Sequence, residues 1–122
     1  MTDVTANKVY KVLTLGEWEE ASKIGQIVTA LDQQDGFVHL SSAIQLNMTL
    51  SLYFLKKEKV ILLQINESDI IEGLTYEYAD KRGGKFAHFY GELSTDKISQ
   101  SWHLDRSAFN LPEEVILEAE QN

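Results

Sequence analysis

The run Val60-Ile61-Leu62-Leu63-Gln64-Ile65 restricts this chain more than any other stretch. Successive side chains of a strand point to opposite faces, so a continuous apolar run with β-branched residues reads as a central strand covered on both sides. The rest of the chain has to supply two covering layers.

Segments for those layers lie on either side of the run. Lys8-Val9-Tyr10-Lys11-Val12-Leu13 alternates as a first strand, with Val9, Lys11 and Leu13 on one face and Tyr10 and Val12 on the other. Thr14-Leu15-Gly16-Glu17 has capping-box spacing, and Trp18 and Ala21 form the stripe of a short amphipathic helix that Gly25 ends. Gln26 to Gln34 shows no clean period and reads as a bent extended connection. In Asp35-Gly36-Phe37-Val38-His39-Leu40-Ser41-Ser42 a tight turn opens into a short strand that sends Val38 and Leu40 one way and Phe37, His39 and Ser41 the other. Ser42 and Gln45 repeat the capping-box spacing ahead of Ala43 to Lys57, whose many apolar residues predict a mostly buried helix. Leu74 to Tyr78, Phe86 to Gly91 and Lys97 to Leu104 read as further strands, and Pro112 suits the first position of a short acidic C-terminal helix.

Strand, helix, strand, helix and then mostly strands is the order of an α+β domain. The expected architecture is a mixed, largely antiparallel sheet with two main helices packed on it. At 122 residues and 43% hydrophobic content the chain suits one domain over 1–122, with flexible ends at 1–7 and 119–122. A formal net charge of −8 argues against duplex nucleic acid as a partner. Without cysteine there is no disulfide or thiolate chemistry, and the N-terminus lacks the basic and apolar regions of a signal peptide. No stretch approaches the roughly 20 apolar residues of a membrane span. The expectation is a cytoplasmic protein with no membrane association; composition is silent on its oligomeric state.

Three histidines, His39, His88 and His103, fall in strand segments. None has the spacing that brings two imidazoles to one face for a metal, so no metal is expected. Ser41 lies beside His39, but no G-x-S-x-G elbow marks a serine hydrolase. His39 with Ser41, and His88 with Tyr90, each share a strand face. Lys81-Arg82-Gly83-Gly84-Lys85 precedes the second pair; Arg82 has the planar fork that grips phosphate, and Gly83 bares backbone N–H groups to the same anion. The plain alternatives are a half-buried His39 bonded to a carbonyl, a hairpin tip at Arg82 and Gly83, and a packed Tyr90.

The first strand with the Trp18 helix, D-G-F-V-H-L-S at 35–41, V-I-L-L-Q-I at 60–65 and H-F-Y-G at 88–91 together resemble an uncharacterised bacterial family, the domain of unknown function numbered nine-fifty-two. That family is grouped with the ADP-ribosyltransferase-like superfamily, whose members bind NAD in a cleft between two small sheets. The resemblance implies an ADP-ribosyltransferase-like fold with His39 and Ser41 on the ribose and Tyr53, in the helix after His39, stacked on the nicotinamide. It also implies a late glutamate. Glu92 is the only late acidic residue near the site motifs and His88 stands in the glutamate's place, so the chain carries no identifiable catalytic glutamate. Two functions follow as expectations. One is a nucleotide-handling enzyme or degenerate relative, with NAD as cofactor, His39 and His88 catalytic, and Ser41, Arg82, Gly83, Tyr90 and Tyr53 binding the ligand. The other is a non-catalytic module that holds a small molecule or a protein in the same cleft.

Overall fold

The chain is described by a computed structural model that covers residues 7–46, 49–50, 59–79, 84–105 and 112–121. Its elements are β1 (Lys8–Thr14), α1 (Leu15–Ile24), β2 (Gln26–Ile27), α2 (Ala30–Asp35), β3 (Val38–Leu40), β4 (Lys59–Asn66), β5 (Leu74–Ala79), β6 (Gly84–Phe89), β7 (Leu93–Ser94), β8 (Ile98–Asp105) and α3 (Glu113–Gln121), with short 3-10 turns between them.

The apolar run is the middle strand of an antiparallel sheet ordered β1-β4-β8. Val60, Ile61, Leu62, Leu63 and Ile65 are fully buried. Their alternation divides them between two cores. Ile61, Leu63 and Ile65 join Val9, Leu13, Ala21, Val38, Leu40 and Ala87 under α1 and the second sheet. Val60 and Leu62 join Tyr10, Val12, Ala43, Leu46, Leu50 and Val115 under the segment after β3 and α3. Gln64 is the polar exception, and its bonds explain how it can be buried. Its amide donates to the Tyr10 hydroxyl at 3.1 Å and its Oε1 accepts from Ser99 Oγ at 2.9 Å. The Tyr10 hydroxyl itself donates to Glu118 of α3. Ser99 is the extra residue of a bulge, since Gln64 faces Gln100 while Ile65 faces Ile98.

A second antiparallel sheet is ordered β3-β6-β5, and β2 pairs with β7 as a two-stranded ribbon. The two larger sheets are joined where Tyr10 N–H donates to Ser41 O at 2.7 Å and Ser41 N–H donates back to Tyr10 O at 2.9 Å. The α+β class and the antiparallel pairing are as the sequence predicts, the strands being divided among separate sheets where one was expected, and Thr14 caps α1 through the expected capping box.

Two expectations are corrected. The segment Gln26–Gln34 is extended only at its start: β2 takes Gln26–Ile27, and Thr29 Oγ1 then accepts from Asp32 N–H and starts α2 at Ala30. Ile44, placed in a mostly buried helix, is 64% exposed, while Ala43, Leu46 and Leu50 are buried. Residues 47–48 and 51–57 of that helix, and so Tyr53, lie outside the described residues, as do Arg82 and Gly83.

Candidate functional site

The site grows out of the register of the second sheet. Gly36, at φ 84, ends α2 in the left-handed region where a side chain would be strained, and turns the chain into β3. Val38 and Leu40 then anchor β3 in the first core, which leaves His39 on the opposite face. His39 stands directly across from His88 of β6, so the two rings share a face with centroids 5.7 Å apart. On the far side of β6, Thr75 of β5 stands across from His88, and Glu77 two residues on shares that face. Phe37 covers the group: its ring stacks on His88 at 4.0 Å and lies 4.6 Å from His39 and 5.4 Å from Tyr90.

Carboxylates fix both imidazoles. His39 Nδ1 lies 2.6 Å from Asp32 Oδ1 and its Nε2 lies 2.9 Å from Asp35 Oδ2, both acids belonging to α2. A neutral imidazole has one N–H to donate, whereas the imidazolium donates to both. Asp32 also accepts the His39 backbone N–H at 3.1 Å and pairs with Lys11 Nζ at 2.8 Å, and Lys11 in turn donates to His39 O. Burial alone would raise the Asp32 pKa, but the His39 hydrogen bonds and the Lys11 charge outweigh it and hold the carboxyl below its ordinary value.

The second dyad differs in kind. His88 Nδ1 lies 2.7 Å from Glu77 Oε1, the same oxygen that accepts from the Tyr90 hydroxyl at 2.6 Å. The Tyr90 and His88 bonds lower the Glu77 pKa, and the Glu77 carboxylate raises that of Tyr90. No partner holds His88 Nε2 among the described residues. An imidazole tied through Nδ1–H to a carboxylate presents Nε2 as a base, which is the arrangement of a general acid–base histidine.

Of the residues singled out from the sequence, His39, His88 and Tyr90 are therefore gathered through Phe37. Ser41 is buried and bonded to Thr49 Oγ1 at 2.7 Å. His103 is exposed on β8. Glu77, and not Glu92, is the carboxylate that reaches His88. Sequence reasoning missed Asp32, Asp35 and Glu77, and gave Phe37 no role. Asp32 had a readable signal, because Thr29-Ala30-Leu31-Asp32 has the spacing of a helix start. Glu77 had none, since its approach depends on the register between β5 and β6.

Two hollows open beside the cluster. One of about 220 Å³ is lined by Asp32, Gly36, Phe37, Val38 and Gly91, and one of about 610 Å³ by Ile70, Glu72, Gly73, Phe89, Tyr90 and Lys97. Among the described residues no three His, Asp or Glu side chains gather to hold a metal ion, and no helix is long and apolar enough to cross a membrane. Gly73 sets the position of Tyr90: its carbonyl accepts the Tyr90 N–H at 2.8 Å, and a Cβ there would lie 2.5 Å from Tyr90 O and 2.7 Å from the Phe89 ring. Gly73→Ala is expected to cost about 1 to 3 kcal/mol by overpacking. It should also shift the Tyr90 and His88 resonances in NMR spectra, and unchanged spectra would show that the contact yields freely.

Comparison with known proteins gives the same fold twice. The crystal structure of protein CC0527 from Caulobacter crescentus is 29% identical to this chain with a TM-score of 0.78, over 92% of this chain and 98% of that one. The solution NMR structure of CC0527 is 30% identical with a TM-score of 0.72, over 87% and 91%. No curated protein matches. The DUF952 family, described as protein of unknown function, matches residues 12–101, a span that runs from β1 into β8 and includes His39, Glu77, His88 and Tyr90; the chain belongs to that family.

Proposed function

We propose that the face of the β3-β6-β5 sheet is a small-molecule site in which His88 Nε2 gives or takes a proton, Glu77 orients the ring, and Tyr90 offers aromatic surface to a planar group of the ligand. The observation that carries this reading is the asymmetry of His88, whose Nδ1 is tied to Glu77 while Nε2 has no partner among the described residues. Carboxylate-anchored imidazoles beside accessible aromatic rings suit acid–base work on a ring-bearing substrate better than they suit a packed core.

The ligand class follows from the resemblance: a nucleotide, NAD among them, handled in the manner of an ADP-ribosyltransferase-like enzyme or a degenerate relative. A histidine on an early strand supports it. Glu77 takes the part of the acidic residue that the sequence left unplaced. The second reading, a non-catalytic module using the same cleft, is favoured by His39, whose two ring nitrogens are both occupied by aspartates.

A thermal-shift screen of nucleotides against wild type and His88→Ala tests the first reading. A ligand at about 100 times its Kd adds roughly 2.7 kcal/mol to the folded state and raises Tm by several degrees. Wild type should shift with at least one nucleotide, and prolonged incubation should convert that ligand in wild type but not in His88→Ala. Binding without conversion supports the module instead. If no nucleotide raises the wild-type Tm, the nucleotide reading is wrong.

A further inference from the structure

The cover over His88 is carried on an unusual support. Phe37 follows α2 after Gly36; of this helix only Asp32 is buried, Leu31 is 40% exposed, and Asp35 keeps 35% of its side-chain surface. No apolar residue of α2 is fully buried, and Leu31 is only partly covered. What holds it is polar: Asp32 on Lys11 and His39 at its buried point, and Asp35 on His39 Nε2 at its C-terminal end. Gly36 separates this helix from Phe37, and no atom comes within 4 Å of where its Cβ would stand. The 220 Å³ hollow beside it is lined by Gly36 and by Phe37 itself.

We propose that Phe37 is a displaceable cover over His88, that α2 and Gly36 form the strap carrying it, and that the Asp35–His39 contact is the latch. With the latch closed, the Phe37 ring occupies the face of His88 that a planar ligand group needs. Release of Asp35 lets the end of α2 pivot about the buried Asp32, Gly36 absorbs the change in backbone torsion, and the ring moves toward the adjoining hollow. A half-exposed hydrogen bond to a charged partner is an apt latch, since it is lost far more cheaply than the buried bonds of Asp32. The inference rests on His88 being the working group of the site, and it assigns Asp35 a regulatory part and His39 a positioning one.

The cover can be measured with no ligand present. Diethyl pyrocarbonate acylates accessible, unprotonated imidazole nitrogens, and peptide mass spectrometry reads the rate at each of the three histidines. At fixed pH, His88 should react slowly in wild type. In Phe37→Ala and in Asp35→Ala it should react roughly tenfold faster, the change in an opening equilibrium that loss of one charged hydrogen bond produces. Asp35→Asn, which keeps the shape and one acceptor, should fall between. His103, exposed on β8, is the internal control and should keep its wild-type rate throughout.

Equal His88 rates in wild type and Phe37→Ala would show that the ring covers nothing. A rise in Phe37→Ala with none in Asp35→Ala would remove the latch, and a rise shared by His103 would mark general loosening of the fold; both count against the proposal. Failure of every nucleotide in the thermal-shift screen would leave these rates as they are, so the cover and the ligand class stand or fall separately.

Discussion

Asp32→Ala is expected to destabilise the protein by about 3 to 5 kcal/mol, because it removes one partner of a buried ion pair. Lys11, with 7% of its side chain accessible, would lose its carboxylate at 2.8 Å, and the His39 ring and backbone N–H would lose the acceptor they share. Urea unfolding measures the effect, and a loss below about 1 kcal/mol would show that water reaches Lys11 easily. Replacing Lys11 and Asp32 together by apolar residues should cost less than the single change, since the desolvated charge goes with its partner while His39 still loses its acceptor.

The same group sets the acid limb. Because the folded-state pKa of Asp32 lies below the ordinary 3.8 of the unfolded chain, its contribution is fully present above that value and is lost as pH falls through the folded-state value. Wild type should therefore lose stability below about pH 4, and Asp32→Asn, already weaker at neutral pH, should show the shallower acid limb.

Leu62→Ala and Leu63→Ala should each cost about 2 to 5 kcal/mol. The two residues are neighbours on β4 and point into different cores, Leu63 toward Val9, Leu40 and Ala87, Leu62 toward Tyr10, Leu46 and Val115. In a strand buried on one face only, one of the two changes would be cheap. Urea unfolding of both variants, with the m-value unchanged, separates the cases. A cost under about 1 kcal/mol for either would mean that its layer collapses around the missing methyl groups.

The parts of this fold legible from sequence are those where one residue's neighbours in the chain decide its surroundings. The run at 60–65 demanded cover on two sides and has it. The Thr14 capping box started α1, and the alternation around His39 placed Val38 and Leu40 in the core. Ile44 failed because a periodic apolar stretch says how many residues want burial and leaves open which of them the neighbouring elements reach. The candidate site was half legible for the same reason. His39, His88 and Tyr90 could be singled out one strand at a time. Glu77 and the two aspartates on His39 belong to elements whose register and approach arise only when distant segments pair.

The placement of β4 has a consequence for how the molecule is made. Lys8 faces Asn66 and Lys59 faces Asp105, so each edge of the first sheet pairs with a segment remote in the chain. β1 emerges well before β4, with only the Tyr10–Ser41 bridge to meet it until the middle strand follows, and the sheet is finished only when β8 is made. Closing such long loops before any contact rewards them slows folding. For that interval Val9, Tyr10, Val12 and Leu13 are presented as an open strand edge, the condition under which nascent chains associate with one another or are bound by chaperones.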